Sequence, residues 1–122
     1  MYRALILGRP IPIPFKEDPT EEKARHDIGL FKSFVAPLLP TCRVYHHTPV
    51  VRLEGADASE HCILEYAAAD ASRSSVWVFR FPAARGSVCV RPRGLAAAKR
   101  YRVTFDNDGT STTRTGADLQ QS

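Results

Sequence analysis

The stretch TCRVYHHTP, Thr41 to Pro49, lies where the periodicity of the chain changes. Before it, Ala24, Ile28, Phe31, Val35 and Leu38 recur at spacings of four, three, four and three, which sets one apolar face along a helix. Pro37 and Pro40 cannot continue that helix. After Pro40 the pattern changes from helical to strand-like, with alternation clearest in later segments. TCRVYHHTP therefore reads as the first strand of a β region, and Pro40 as an internal boundary.

Upstream, Asp18 suits a helix cap, Pro19 the first helical position and Glu21 the acidic place three residues after the cap. The pattern predicts a helix from Pro19 to Ala36. Tyr2 to Leu7 reads as a short buried strand or the end of a helix, and RPIPIPFKEDP as an extended loop.

Downstream, Cys42 to His47, Val50 to Glu54, His61 to Ala67, Ser75 to Phe81, Ser87 to Arg93, Arg100 to Phe105 and Ser111 to Thr115 read as strands. In SVWVFRF, Trp77, Phe79 and Phe81 share one face, with Val76, Val78 and Arg80 on the other. Tyr101, Val103 and Phe105 read as inward, Arg100, Arg102 and Thr104 as outward. Asp106-Asn107-Asp108-Gly109 reads as a hairpin turn; it lacks the remaining ligands of a calcium loop. Short strands separated by turn signals predict a mainly β fold, an antiparallel β-sandwich preceded by one amphipathic helix.

Composition fits one ordinary globular chain of 122 residues. Seventeen Lys and Arg against 13 Asp and Glu give a net charge of +4. Between Arg73 and Arg114 only Asp106 and Asp108 oppose the arginines. The pairs Arg91 and Arg93, then Arg100 and Arg102, have the spacing of outward strand positions, so the charge favours solvated faces over nucleic-acid binding. Cys42, Cys62 and Cys89 have no zinc-type spacing; Cys62 and Cys89 read as small core residues. No stretch suits a membrane span or a signal peptide, which favours the cytoplasm.

No local arrangement makes an active site. His46 and His47 are neighbours on a strand and point to opposite faces, so they do not share a metal; they read as one inward and one outward, or as a pair packed at a domain junction. A metal site would need His46 with Cys42 and a residue from another strand. Glu54, Glu60 and Glu65 could supply a carboxylate pair, but no spacing pairs them. No nucleophile elbow, P-loop or dinucleotide fingerprint is present. The sequence predicts no catalytic residue, no metal and no cofactor. Tyr66 and Trp77 are the candidates for stacking on a sugar, although the alternation around Trp77 favours core packing.

The order of motifs resembles the C-terminal end of α-galactosidase-like glycoside hydrolases of families 36 and 27. The residues that carry the resemblance are Phe31-Lys32 and Pro37-Leu38, Val44-Tyr45-His46-His47-Thr48-Pro49, Glu65-Tyr66, Val76 to Arg80, Gly94-Leu95, Tyr101-Arg102-Val103, and Gly116-Ala117-Asp118-Leu119. The resemblance implies that residues 1–40 are the end of a catalytic (β/α)8 barrel and 41–122 a C-terminal antiparallel β-sandwich, cut short at both ends. It implies retaining chemistry by two carboxylates about 5 Å apart, on barrel strands upstream of this chain. The function so implied is non-catalytic: a fragment whose sandwich braces the upstream barrel and contributes to homo-oligomer contacts. The alternatives are a free-standing module that binds oligosaccharide and a basic adaptor for an anionic polymer.

Overall fold

A computed structural model of the chain describes residues 21–48, 61–80 and 86–121. The chain divides into two compact units, Met1–Pro40 and Thr41–Ser122. Tyr2 to Leu7, read as a strand or the end of a helix, the predicted strand at Val50 to Glu54, the helix cap at Asp18, and Glu54 and Glu60 lie outside the described residues.

In the first unit, α1 spans Glu21–Leu30 and widens into a π-helical turn over Phe31–Val35. The wider turn is closed by the Ala36 amide, which donates to the Phe31 carbonyl at 2.7 Å, five residues back. Ser33 Oγ donates to the Gly29 carbonyl at 2.8 Å just where the pitch changes. Val35 and Leu38 are buried, as the periodicity predicts, whereas Ile28 is exposed.

The second unit contains two antiparallel sheets, and the described chain is mainly β. Strands β1 (Arg43–His46), β2 (His61–Ala67) and β3 (Ser74–Arg80) form one sheet with β2 at its centre. Strands β4 (Arg100–Phe105) and β5 (Thr110–Thr115) form the other, and α2 (Gly116–Gln121) follows. Tyr45, Glu65 and Val76 lie opposite one another, so they share a face with Ile63 and Ala67. Leu64 and Trp77, with Cys62 and Phe79, take the other face together with Tyr66. The alternation read for SVWVFRF is seen in β3: Trp77 and Phe79 are half-buried, while Val76, Val78 and Arg80 are exposed. Phe81 lies outside the described residues.

Three expectations need correction. Residues 87–93 are not in a strand. Pro92 has no amide hydrogen for a ladder, and the Arg93 and Gly94 amides are drawn to a buried side chain instead. Cys89, on this segment, is therefore exposed and not a core residue. Phe105, read as inward, is 56% exposed. It ends β4, and its carbonyl receives the amides of Asp108 and Gly109 as the chain reverses.

The turn after Phe105 takes the form the sequence suggests. Gly109 has φ +72°, a conformation glycine adopts without steric cost. The Asp108 carboxylate accepts from the amide and hydroxyl of Thr110 at 2.9 and 2.6 Å. These bonds, the hydroxyl foremost, hold its pKa below the ordinary carboxylate value.

The β2–β3 connection carries strain. Ala71 has φ +56°, although it bears a Cβ. The turn is held by Ala68 N–H donating to Arg73 O, Ala71 N–H to Ala68 O and Ser72 N–H to Asp70 Oδ1, each at 3.0 Å. Tyr101 links this turn to the second sheet: its hydroxyl donates to the Ala71 carbonyl at 2.7 Å and accepts from the Ala96 amide at 2.9 Å. We expect Ala71→Gly to stabilise the unit by about 0.5 kcal/mol, the relief of left-handed strain less the added entropy of glycine. Ala71→Val should destabilise it. Urea midpoints measure both, and the reverse order would contradict the strain.

Thr115 and Asp118 cap α2 reciprocally: Asp118 N–H donates to Thr115 Oγ1 at 3.1 Å and Thr115 N–H to Asp118 Oδ2 at 3.3 Å. The amides of Gly116 and Ala117 dock on the carbonyls of Lys99 and Ala97 at 2.8 and 3.0 Å. A Cβ on Gly116 would collide with the Ala96 carbonyl, so this close approach requires glycine.

Candidate functional site

The alternation of β2 turns Ile63, Glu65 and Ala67 inward, and all three are buried. A carboxylate with no exposed surface is costly unless its lone pairs are filled. Here each oxygen accepts twice. Oε1 takes Ser74 Oγ at 3.0 Å and the Gly94 amide at 2.9 Å. Oε2 takes the Arg93 amide at 2.8 Å and His47 Nε2 at 2.7 Å. Burial is the largest single influence on Glu65 and would raise its pKa. The Arg93 and Gly94 amides, then His47 and Ser74, together outweigh it and hold the pKa below the ordinary value of 4.5. An ionised carboxylate only accepts, so His47 Nε2 is the donor.

Strand β1 delivers that histidine. His46 is exposed and His47 turns inward, the opposite-face arrangement that adjacent strand residues impose. The His47 amide donates to the Ile63 carbonyl, and the Ile63 amide to Thr48 Oγ1, both at 3.0 Å, so pairing with β2 continues past the end of β1. On the opposite side, Gly94 approaches so closely that a Cβ there would overlap Ala67 Cβ, 3.1 Å from Glu65 Oε1 and 3.4 Å from Tyr45 Cε2.

Sequence reading left Glu65 without a partner and did not find its role. The available signal was its parity: a glutamate between Ile63 and Ala67 on the inward face must be satisfied internally. Its donors come from 18 residues upstream and 29 downstream, where no local pattern points to them.

Beside this node a groove of about 650 Å³ opens, lined by His47, Ile63, Cys89, Arg91, Arg93 and Gln120. The sugar-stacking candidates lie elsewhere. Tyr66 and Trp77 are both half-buried and share the face of the sheet away from Glu65. Ser75 faces Tyr66 and Trp77 faces Leu64, so the two aromatic rings belong to diagonal positions within reach of one another. Trp77 Nε1 is buried with no hydrogen-bond partner among the described residues.

Comparison of the chain with protein-family models, with curated proteins and with solved structures finds no match.

Proposed function

We propose that Thr41–Ser122 is the non-catalytic β domain of an α-galactosidase-like glycoside hydrolase, with its two sheets as the two halves of an antiparallel sandwich. In this reading α1 is the closing helix of a (β/α)8 barrel, and the domain braces that barrel. The observation that carries it is the convergence on Glu65 of three motifs on which the resemblance rests: Val44 to Pro49 through His47, Glu65-Tyr66 itself, and Gly94-Leu95 through the Gly94 amide. Tyr101, from a fourth motif, bonds elsewhere, to the Ala71 carbonyl of the β2–β3 turn. Residues that recur together because they knit one fold are expected to meet in space. Both oxygens of Glu65 are filled by donors, which suits a structural carboxylate and not a nucleophile or a proton donor.

The test is the intact mass of the native product, with the reading frame around Met1 and Ser122. A larger protein, with an in-frame barrel bearing two strand-end carboxylates, is expected. A native product of 122 residues, or α-galactoside turnover by this chain that an Asp or Glu substitution abolishes, would overturn the reading.

A second reading, an oligosaccharide-binding module, is favoured by Tyr66 and Trp77 sharing one half-exposed face. Titration with galactosides, followed by the emission of the single tryptophan, decides it. No saturable change removes this reading.

A further inference from the structure

We propose that the groove beside His47 binds a small phosphate monoester through the guanidinium groups of Arg91 and Arg93. The phosphate site does not depend on the glycoside hydrolase reading, from which only the sugar of the probe is taken. The groove, at about 650 Å³, falls within the size range of small-molecule sites. Among the described residues, its formally charged lining is Arg91 and Arg93, with no aspartate or glutamate. Glu65 lies directly behind His47 and keeps its negative charge, but its oxygens are taken by Ser74, His47 and two backbone amides, so neither guanidinium is drawn onto it as an ion pair.

The two arginines are held in place by the backbone between and after them. Pro92 fixes one torsion of the intervening residue, and the Arg93 and Gly94 amides are anchored on the buried carboxylate. Arg93 is thus tied to the core by its main chain, while the residue is exposed and lines the groove. Gln120 is fixed likewise: its Nε2 donates to the Leu95 carbonyl at 2.9 Å, which leaves its oxygen as an acceptor at the groove wall. His47, oriented by Glu65, supplies an imidazole edge. Two guanidinium forks match a doubly charged phosphate in charge and geometry better than a monovalent carboxylate. An acceptor and an imidazole nearby suit the hydroxyl groups of the ester's organic part.

The test is calorimetric titration of the whole chain with galactose 1-phosphate, inorganic phosphate and neutral galactose, repeated with the double variant Arg91→Gln, Arg93→Gln. Both substitutions keep the Arg93 amide and so keep the bond to Glu65. Saturable binding of the phosphate ester is expected. Galactose should not bind, and affinity should fall at least tenfold in the double variant while its urea midpoint stays unchanged. Inorganic phosphate should bind more weakly than the ester at the same site. No saturable heat, equal binding by the double variant, or binding lost instead on Arg100→Gln, Arg102→Gln would overturn the proposal.

Discussion

Glu65→Ala is expected to remove about 3–5 kcal/mol of stability, the cost of breaking one side of a buried charged network. Small domains are stable by only about 5–15 kcal/mol, so the variant will be largely unfolded or will unfold in very little urea. Alanine leaves the Arg93 and Gly94 amides, the Ser74 hydroxyl and His47 Nε2 facing a void. Glu65→Gln is the sharper probe because it keeps size and shape. Whichever oxygen becomes NH2, it meets one backbone amide: Gly94 at Oε1 or Arg93 at Oε2. No amide flip avoids a clash of donors, so a loss of about 2–3 kcal/mol is expected even for this isostere. Wild-type stability at pH 7 in the Gln variant would show that the carboxylate charge contributes nothing.

The same network predicts an acid limb. The folded pKa of Glu65 lies below the ordinary 4.5, so the folded state binds its proton less readily than the unfolded chain. The stabilisation is therefore complete above the ordinary value and is lost as pH falls through the folded one. Urea midpoints of the wild type should decline from about pH 4.5 downward, and the part of that decline due to Glu65 should vanish in Glu65→Gln. Parallel profiles for the two proteins would contradict the assignment.

What was legible in the sequence follows from the range of the interactions. The bounds of β2 emerge from an apolar run, and those of β4 from alternation, because a strand's two faces are written every second residue. The opposite fates of His46 and His47 are legible for the same reason. Residues 87–93 carry local strand character, yet a strand exists only when a neighbour takes its amides. Here Pro92 withholds one donor and Glu65 captures the next two. The groove follows from that diversion and was not legible, because it joins His47, just past β1, to residues from β2, this segment and α2. Gly94 and Gly116 stand in the sequence as ordinary loop glycines; only the packing shows that a methyl group at either would strike a neighbour.

Gly94→Ala should show that this packing is specific, with a loss of about 2–4 kcal/mol from overpacking and a weakened bond to Glu65. The new methyl would overlap Ala67 Cβ, which is fixed to the central strand and cannot rotate away. It would also press on Glu65 Oε1 and the ring of Tyr45, and so push the Gly94 amide off the carboxylate. The collision suggests its own remedy. Ala67→Gly removes the struck methyl, at a cost of about 1 kcal/mol for glycine in a strand. If the loss in Gly94→Ala comes from this contact, the double variant will be more stable than the sum of the single changes by about 1–2 kcal/mol. Strict additivity in urea unfolding would place the cost of Gly94→Ala in the loop's own backbone, and the close approach of residues 93–94 to β2 would then not be what holds Glu65 in place.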